Sequence, residues 1–523
     1  MPMLHKLKQG TALCLMAVGC AAAMPAFAQT ANVSGTIHAD QPKGEVSRRI
    51  FGQFAEHLGT GIYGGIWVGP DSTIPNLKGY RMDVLDALRK LQVPVVRWPG
   101  GCFADEYNWR EGIGPRAKRP IKVNTNWGGV AEDNAFGTHE FMDFAELLGA
   151  DAYVSGNVGD AAPREMAEWV EYMTSPVGST LAKEREANGR KSPWKVPLFG
   201  IGNELWGCGG AMRAEYAADV TRRYANFVKV PGGQTMFKIA SGASDADYNW
   251  TDTLMRIAGK SIDALALHHY AVPTGEWKKK GAATGFPEAE WASLLSSAYF
   301  INELISKHSA IMDKYDADRR VWLAVDEWGN WYDVEPDANP GFLYQQNTLR
   351  DAVSAALNLN IFSRHADRVK LANIAQMVNV LQAMILTRDT QMVLTPTYHV
   401  FDMYQPFQNA TALAIDLKTP RYQFGRIDLP ALDAAAVMGK DGRVYVALVN
   451  LDPQHAAEVE LALGGVSPKK VSGRILSGPA MDTHNDFGSP NAIAPRTFSD
   501  ASLHGGALHA TLPPKSVVML ALD

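Results

Sequence analysis

Charge and cysteine are scarce in this chain. Only 20% of its 523 residues are charged and the formal net charge is −5. No basic stripe and no RNP-like, zinc-finger or basic-helix pattern is present, which excludes a nucleic-acid footprint. Four cysteines are too few for a disulfide scaffold in a chain of this length. No low-complexity segment dominates and no internal repeat is evident. Paired C-x-x-C and H-E-x-x-H metal motifs are missing, and so is the G-x-S-x-G elbow of serine hydrolases. What remains is an ordinary globular composition, 46% hydrophobic, with room for one large domain or two to three smaller ones.

The N-terminus reads as an export signal. Lys6 and Lys8 give a short positive region, Thr11 to Ala23 an apolar one, and Ala26-Phe27-Ala28 a small-residue cleavage site before Gln29. The apolar run is too short for a permanent membrane span, so no stable membrane insertion is expected. The expectation is a periplasmic or secreted protein cleaved after Ala28, with lipid anchoring at Cys20 as an alternative. Cleavage removes Cys14 and Cys20. Cys102 and Cys208 remain, as one bridge or as two thiols.

From residue 50 to about 407, apolar runs alternate with amphipathic stretches. Strands are expected at Ile50–Glu56, Val93–Pro99, Asp151–Gly159, Pro197–Glu204, Lys238–Ser244, Asp263–Tyr270, Val321–Glu327 and Lys370–Met377. Helices are expected at Arg81–Lys90, Thr138–Leu148, Arg164–Met173, Ala214–Val228, Trp250–Ile257, Ser293–Lys314 and Tyr344–Ser363. Strands apolar on both faces and followed by helices define a parallel sheet covered by helices, an α/β (β/α)8 TIM barrel. After Phe407 short, often alternating segments are separated by Gly, Pro, Asn and Asp, the pattern of an antiparallel β-sandwich. Asn32–His38 alternates similarly and is expected to join it. The expected division is 1–28 signal peptide, 29–47 N-terminal strand of the sandwich, 48–408 catalytic barrel and 409–523 C-terminal sandwich.

A barrel gathers the C-terminal ends of its strands at one rim, where active sites are built. The residues closing the runs are Glu56 and His57, Arg97 to Gly101, Asn203 and Glu204, His268 to Tyr270, Asp326 and Glu327, and Gln376. Glu204 and Glu327, three βα units apart, suit glycoside hydrolysis, in which one carboxyl protonates the leaving oxygen and the other attacks or activates water. A structural ion pair with Arg97 or a loop lysine is the competing account of either glutamate. Trp206, Trp328, Trp331 and Tyr332 follow closely and offer flat faces to a sugar. His268 and His269 are neighbours on a strand and point to opposite faces, which argues against joint chelation.

The segments GQFAEHLG, VVRWPGGCFADEYNWREGIGP, GIGNELWGCGG, ALHHY, VDEWGNWY and NIAQMVNVLQ together resemble the α-L-arabinofuranosidases of glycoside hydrolase family fifty-one. The resemblance implies a barrel joined to a jelly-roll-like sandwich, and cofactor-free cleavage with retention of configuration. It further implies Glu204 as acid/base and Glu327 as nucleophile. Glu56, Asn203 and Gln376 would bind the arabinofuranosyl hydroxyls, with Tyr270 and Arg97 orienting the nucleophile and keeping it ionised, and Tyr270 also touching substrate. Cys102 stands where some members carry asparagine and is an expected sugar contact; Leu205 departs from the frequent GNENWG form. The implied partners are arabinan, arabinoxylan and derived oligosaccharides, and oligomers occur in the family. An endo-acting xylanase or glucanase on the same barrel and a non-catalytic polysaccharide-binding protein are the alternative functions.

Overall fold

The computed structural model describes residues 30–523. Eight parallel strands close into a barrel: Gly52–Phe54, Val95–Trp98, Asp151–Gly156, Leu198–Ile201, Phe237–Ser244, Ala264–Ala271, Trp322–Asn330 and Val369–Ala375. They lie within or beside the eight expected runs because each is apolar on both faces, one packing inward and one against helices. Val95, Tyr153, Leu198, Ile239, Leu371 and three alanines fill the interior at the N-terminal half. Ala264, Ala266 and Ala324 are small enough to leave room for the Tyr153 ring. The polar ends of the strands therefore sit above a solid floor.

The covering helices form where the 3.6-residue pattern runs, with two shifts of boundary. The helix expected from Tyr344 begins at Leu349. Thr348 caps it and Asp351 returns a bond to the Thr348 amide, a capping box that fixes the start. Gln345, just upstream, instead bonds across to Tyr332 and Asn330. The long helix expected from Ser293 starts earlier, spanning Glu288–Asp313. A helix at Thr180–Ala187 has no counterpart in the sequence reading; its weakly amphipathic TLAKEREA is held by the Ser179 cap and by Arg185 binding the carbonyls of Tyr172 and Ser175.

Beyond the barrel, ten strands form one hydrogen-bonded run around a separate apolar core that includes Val33, Ile37, Leu413, Leu448, Leu461, Phe498 and Leu520. Strands Arg496–Phe498, Ala501–His504 and Ala507–Leu512 add to those read from sequence. Ala31–Glu45 lies inside the run, antiparallel to Thr411–Lys418 and parallel to Ala457–Gly464. The sheet is thus mostly antiparallel, with one parallel pair. Two helices join the bodies: from Leu349–Arg364, Asn360 and Arg364 bind Asp433 at 2.9 Å, and from Glu288–Asp313, Trp291 donates to the Leu451 carbonyl at 2.9 Å. Among the described residues no helix is long and apolar enough to cross a membrane.

Candidate active site

The strand ends bring Glu56, Arg97, Asn203, Glu204, Tyr270, Glu327 and Gln376 together, with Cys102 at the wall. Glu327 accepts one hydrogen bond on each oxygen, from Arg97 Nη1 at 2.7 Å and from the Tyr270 hydroxyl at 2.9 Å. The other arm of Arg97 donates to Asn203 Oδ1 at 2.6 Å. One buried guanidinium therefore fixes the ends of two strands, those carrying Glu327 and Glu204. The sequence period of two would send Asp326 and Glu327 to opposite faces. The pairing register shifts between Val325 and Trp328, an irregularity of the kind that re-aims side chains. Both carboxylates end up inside: Tyr153 donates to Asp326 at 2.7 Å.

Glu56 lies against the Pro99-Gly100-Gly101 backbone. A Cβ on Gly100 would stand 2.8 Å from the Glu56 carboxylate, and one on Gly101 3.1 Å, so the double glycine is what lets this chain pass beside a carboxylate. Oε1 of Glu56 accepts from the Phe103 amide at 3.0 Å and from Trp127 Nε1 at 2.9 Å; Oε2 accepts from Gln376 at 3.2 Å. Burial pushes the Glu56 carboxyl up to about 7, with the Glu327 charge adding to the rise.

Glu204 ends an apolar strand in a turn of glycines. Its backbone takes φ +41, a left-handed conformation uncommon outside glycine. The turn closes through Gly207 and Gly209 amides onto the Glu204 carbonyl at 2.7 and 3.1 Å. A Cβ at Gly209 would meet the Asn203 carbonyl at 2.0 Å. Asp105 supports the turn from below, accepting from the amides of Asn203, Val158 and Gly159 at 2.8, 2.7 and 3.0 Å. Leu205, at the position that departs from the frequent asparagine, is buried and packs beneath the turn. Burial raises the Glu204 carboxyl against a hydrogen bond from His268, and the Glu327 charge raises it further.

His268 joins three carboxylates. Nδ1 lies 2.9 Å from Glu204 Oε1 and 3.5 Å from Glu327 Oε2, and Nε2 lies 3.3 Å from Asp326 Oδ1. Burial works against its charge, but Glu327 and the bonds to Asp326 and Glu204 lift its pKa to about 10. His269 faces away, bonded to Asp245 and the Ser297 carbonyl, as the strand alternation predicts. Oxygens of Glu204 and Glu327 and the His268 nitrogen between them all lie within 4.8 Å of one another. An adjoining cleft of about 290 Å³ is lined by Glu204, Trp206, His268, Tyr270, Trp277 and Trp331. A roomier depression of about 710 Å³ around Arg116, Arg119 and Arg190 contains none of these groups.

Sequence reasoning leaves out Asp105, Trp127 and the bridging position of His268. Asp105 stands in the quoted GGCFADEY segment, on the loop that leaves the second barrel strand, and that placement was its available signal. Trp127 has no such signal, because it arrives on an irregular excursion after the second barrel strand. Cys102 and Cys208 form a disulfide with Cα atoms 5.5 Å apart. Trp328 turns away from the cleft, onto Phe362 and Phe401.

A closed barrel with two facing glutamates, an arginine and a tyrosine on one of them, and tryptophans at the mouth defines a glycoside hydrolase. The model of the α-L-arabinofuranosidase 1 domain matches residues 87–284, and that of the α-L-arabinofuranosidase C-terminal domain residues 326–516. An intracellular exo-α-L-arabinofuranosidase of Bacteroides ovatus is 51% identical over 489 residues, covering 93% of this chain and 95% of the relative. The crystal structure of a GH51 arabinofuranosidase from Xanthomonas axonopodis pv. citri is 59% identical, with a TM-score of 0.93, over 94% of this chain and 100% of that one. A Thermotoga maritima α-L-arabinofuranosidase in complex with arabinose is 29% identical, with a TM-score of 0.82, over 94% and 99% of the two chains. The chain belongs to the α-L-arabinofuranosidases of glycoside hydrolase family 51.

The same comparisons correct one expectation. The Bacteroides ovatus relative is named as intracellular, which overturns the reading of a periplasmic or secreted protein. Residues 1–28, with the Ala28 cleavage site and Cys20, lie outside the described residues. A positive, apolar, small-residue order is short and compositional, and it carries less information than likeness over nearly the whole chain.

Proposed function

We propose that the enzyme removes terminal arabinofuranosyl residues from arabinan, arabinoxylan or their oligosaccharides by double displacement with retention. The observation that carries this reading is the approach of Glu204 and Glu327, whose oxygens lie within 4.8 Å. Direct attack needs carboxyl groups about 5–5.5 Å apart, whereas inverting enzymes leave about 6.5–9.5 Å for a water.

In this mechanism Glu327, steadied by Arg97 and Tyr270, attacks the anomeric carbon. Glu204 protonates the departing oxygen, and Glu204 Oε2 holds that proton because His268 occupies Oε1. Once Glu327 is esterified its charge is gone, and with it one cause that keeps Glu204 protonated. Glu204 then ionises and draws a proton from the incoming water. Glu56, Asn203 and Gln376 take the sugar hydroxyls, their polar ends converging on the small cavity beside Cys102. In this reading the barrel, 48–408, carries the chemistry, and the sandwich of 29–47 and 409–523 buttresses it.

The test combines product and label. Free arabinose should appear from arabinoxylan without shortening of the xylan, and NMR should find the first-formed sugar with its configuration kept. Glu327→Ala should abolish turnover with folding nearly intact, and a slow fluorinated furanoside should label the peptide bearing Glu327. Early shortening of debranched xylan would favour an endo-acting glycanase, and an inverted product would rule out double displacement.

A further inference from the structure

The Cys102–Cys208 bridge touches the reacting end of Glu204. Cys102 opens the short 3-10 segment Cys102–Glu106 after the second barrel strand, and Cys208 sits in the glycine turn that presents Glu204. Sγ of Cys208 lies 3.7 Å from Glu204 Oε2. A disulfide sulfur has no hydrogen, so any hydrogen bond here runs from the protonated carboxyl to sulfur. Ligand atoms of Cys102, Glu204 and Cys208 all fall within 4.8 Å of one another.

We infer that reduction of this bridge converts the mouth of the sugar pocket into a binding site for a thiophilic divalent cation, of which zinc(II) is the type. Two thiolates and one carboxylate are the donor set of an open tetrahedral site, with the cleft supplying water as fourth ligand. With metal–sulfur and metal–oxygen bonds of about 2.3 and 2.1 Å, a tetrahedron sets sulfur and oxygen about 3.6 Å apart. Cys208 and Glu204 already stand at 3.7 Å. The sulfurs must part, and the Cα separation of 5.5 Å leaves room for a metal between them once Cys208 turns on its glycine-flanked backbone. His268 is already in place behind the site, donating to the Glu204 oxygen that the metal does not need. The competing trio, Glu204, His268 and Glu327, is poorer, since both ring nitrogens of His268 are turned onto carboxylates.

The chemistry balances with a dithiol as reductant. Dithiothreitol supplies two electrons and two protons and becomes a cyclic disulfide; the Cys102–Cys208 bond breaks and each sulfur takes one proton. Zinc binding then releases both thiol protons to buffer. The occupied site captures Glu204, so metal and turnover exclude one another. Metal binding is independent of the role proposed for Glu204, while loss of activity rests on that role, and the two are read separately.

The test uses the full chain, untreated or reduced with dithiothreitol and desalted without air, each titrated with zinc(II) against a chromophoric chelator. The reduced protein should bind about one zinc per chain, and the untreated protein none at the same concentration. Cobalt(II) should give a thiolate charge-transfer band in the reduced protein alone. Hydrolysis of nitrophenyl arabinofuranoside should fall about tenfold or more in the reduced, zinc-loaded protein and recover with EDTA, a loss set by removal of general acid/base assistance. Cys208→Ser should weaken zinc at least about 100-fold. Equal zinc binding by both redox forms, absence of the cobalt band, or undiminished binding by Cys208→Ser would overturn the site. Zinc bound with activity unchanged would overturn the role of Glu204 as a ligand.

Discussion

His268 holds one oxygen of Glu204, at 2.9 Å, and leaves the other facing the cleft. The bond decides which oxygen is free to carry the reacting proton, and the imidazolium opposes the burial that raises the Glu204 carboxyl. In His268→Ala that opposition is lost, so the basic limb of the kcat/KM profile should move to higher pH. The rate at neutral pH should fall on the order of 10²-fold, because the carboxyl also loses its orientation. An unchanged profile with a lower rate would leave His268 a purely structural part.

Glu204→Ala should impair the first step severely for natural oligosaccharides and much less for a nitrophenyl arabinofuranoside, whose phenolate leaves unassisted. The loss with poor leaving groups should reach ~10²–10⁴-fold. With the nitrophenyl substrate a burst and then slow turnover should follow, accelerated by azide, and the azide product should keep the original configuration. Pre-steady-state losses equal for good and poor leaving groups would exclude Glu204 as the acid.

Gly209→Ala and Gly207→Ala separate geometry from composition. The first places a Cβ 2.0 Å from the Asn203 carbonyl; the second meets only the Glu204 carbonyl, at 3.6 Å. Gly209→Ala should cost about 1–3 kcal/mol of stability and lower kcat, while Gly207→Ala should stay near wild type. Denaturant melts and kinetics on both variants check this.

Stability should fall as pH rises from about 5 to about 7.5. Glu56 and Asp105 both sit near 7 in the folded chain, above ordinary values of 4.5 and 3.8. Their folded forms hold protons more tightly, so their contribution is complete below the unfolded values and is lost as pH passes through 7. Asp326 acts oppositely: burial raises it, but Arg97 and His268 outweigh that and hold it low, so its contribution is present above 3.8 and fades in acid. Glu56→Gln should flatten the fall in unfolding free energy between pH 5 and 7.5, by on the order of 1–3 kcal/mol, as read from denaturant melts across that range.

The barrel was legible because a strand buried on both faces must be apolar throughout, and eight such runs stand out from Gly52–Phe54 to Val369–Ala375. The rim was legible because each run ends in polar groups with nothing else to do there. Trp127 and the Cys102–Cys208 pairing were not, since both depend on where an aperiodic chain crosses space; the bridge spans 106 residues. Asp326 was read at the rim beside Glu327, but that both carboxylates face inward was not legible, because the strand breaks its two-residue alternation at that point. Asp105 was in plain view, but three backbone amides converging on one carboxylate leave no mark in the order of residues.

The strand Ala31–Glu45 sits in the interior of the ten-strand run, with six strands on one side and three on the other. Its two neighbours, Thr411–Lys418 and Ala457–Gly464, are translated only after the entire barrel. During synthesis this early segment must therefore wait, unpaired, while the barrel forms behind it. Its final hydrogen bonds are among the most distant in sequence that the molecule makes, and such contacts are slow to form. The sheet is then completed by segments that flank the barrel on either side in sequence, which makes its closure a late event in the birth of the enzyme.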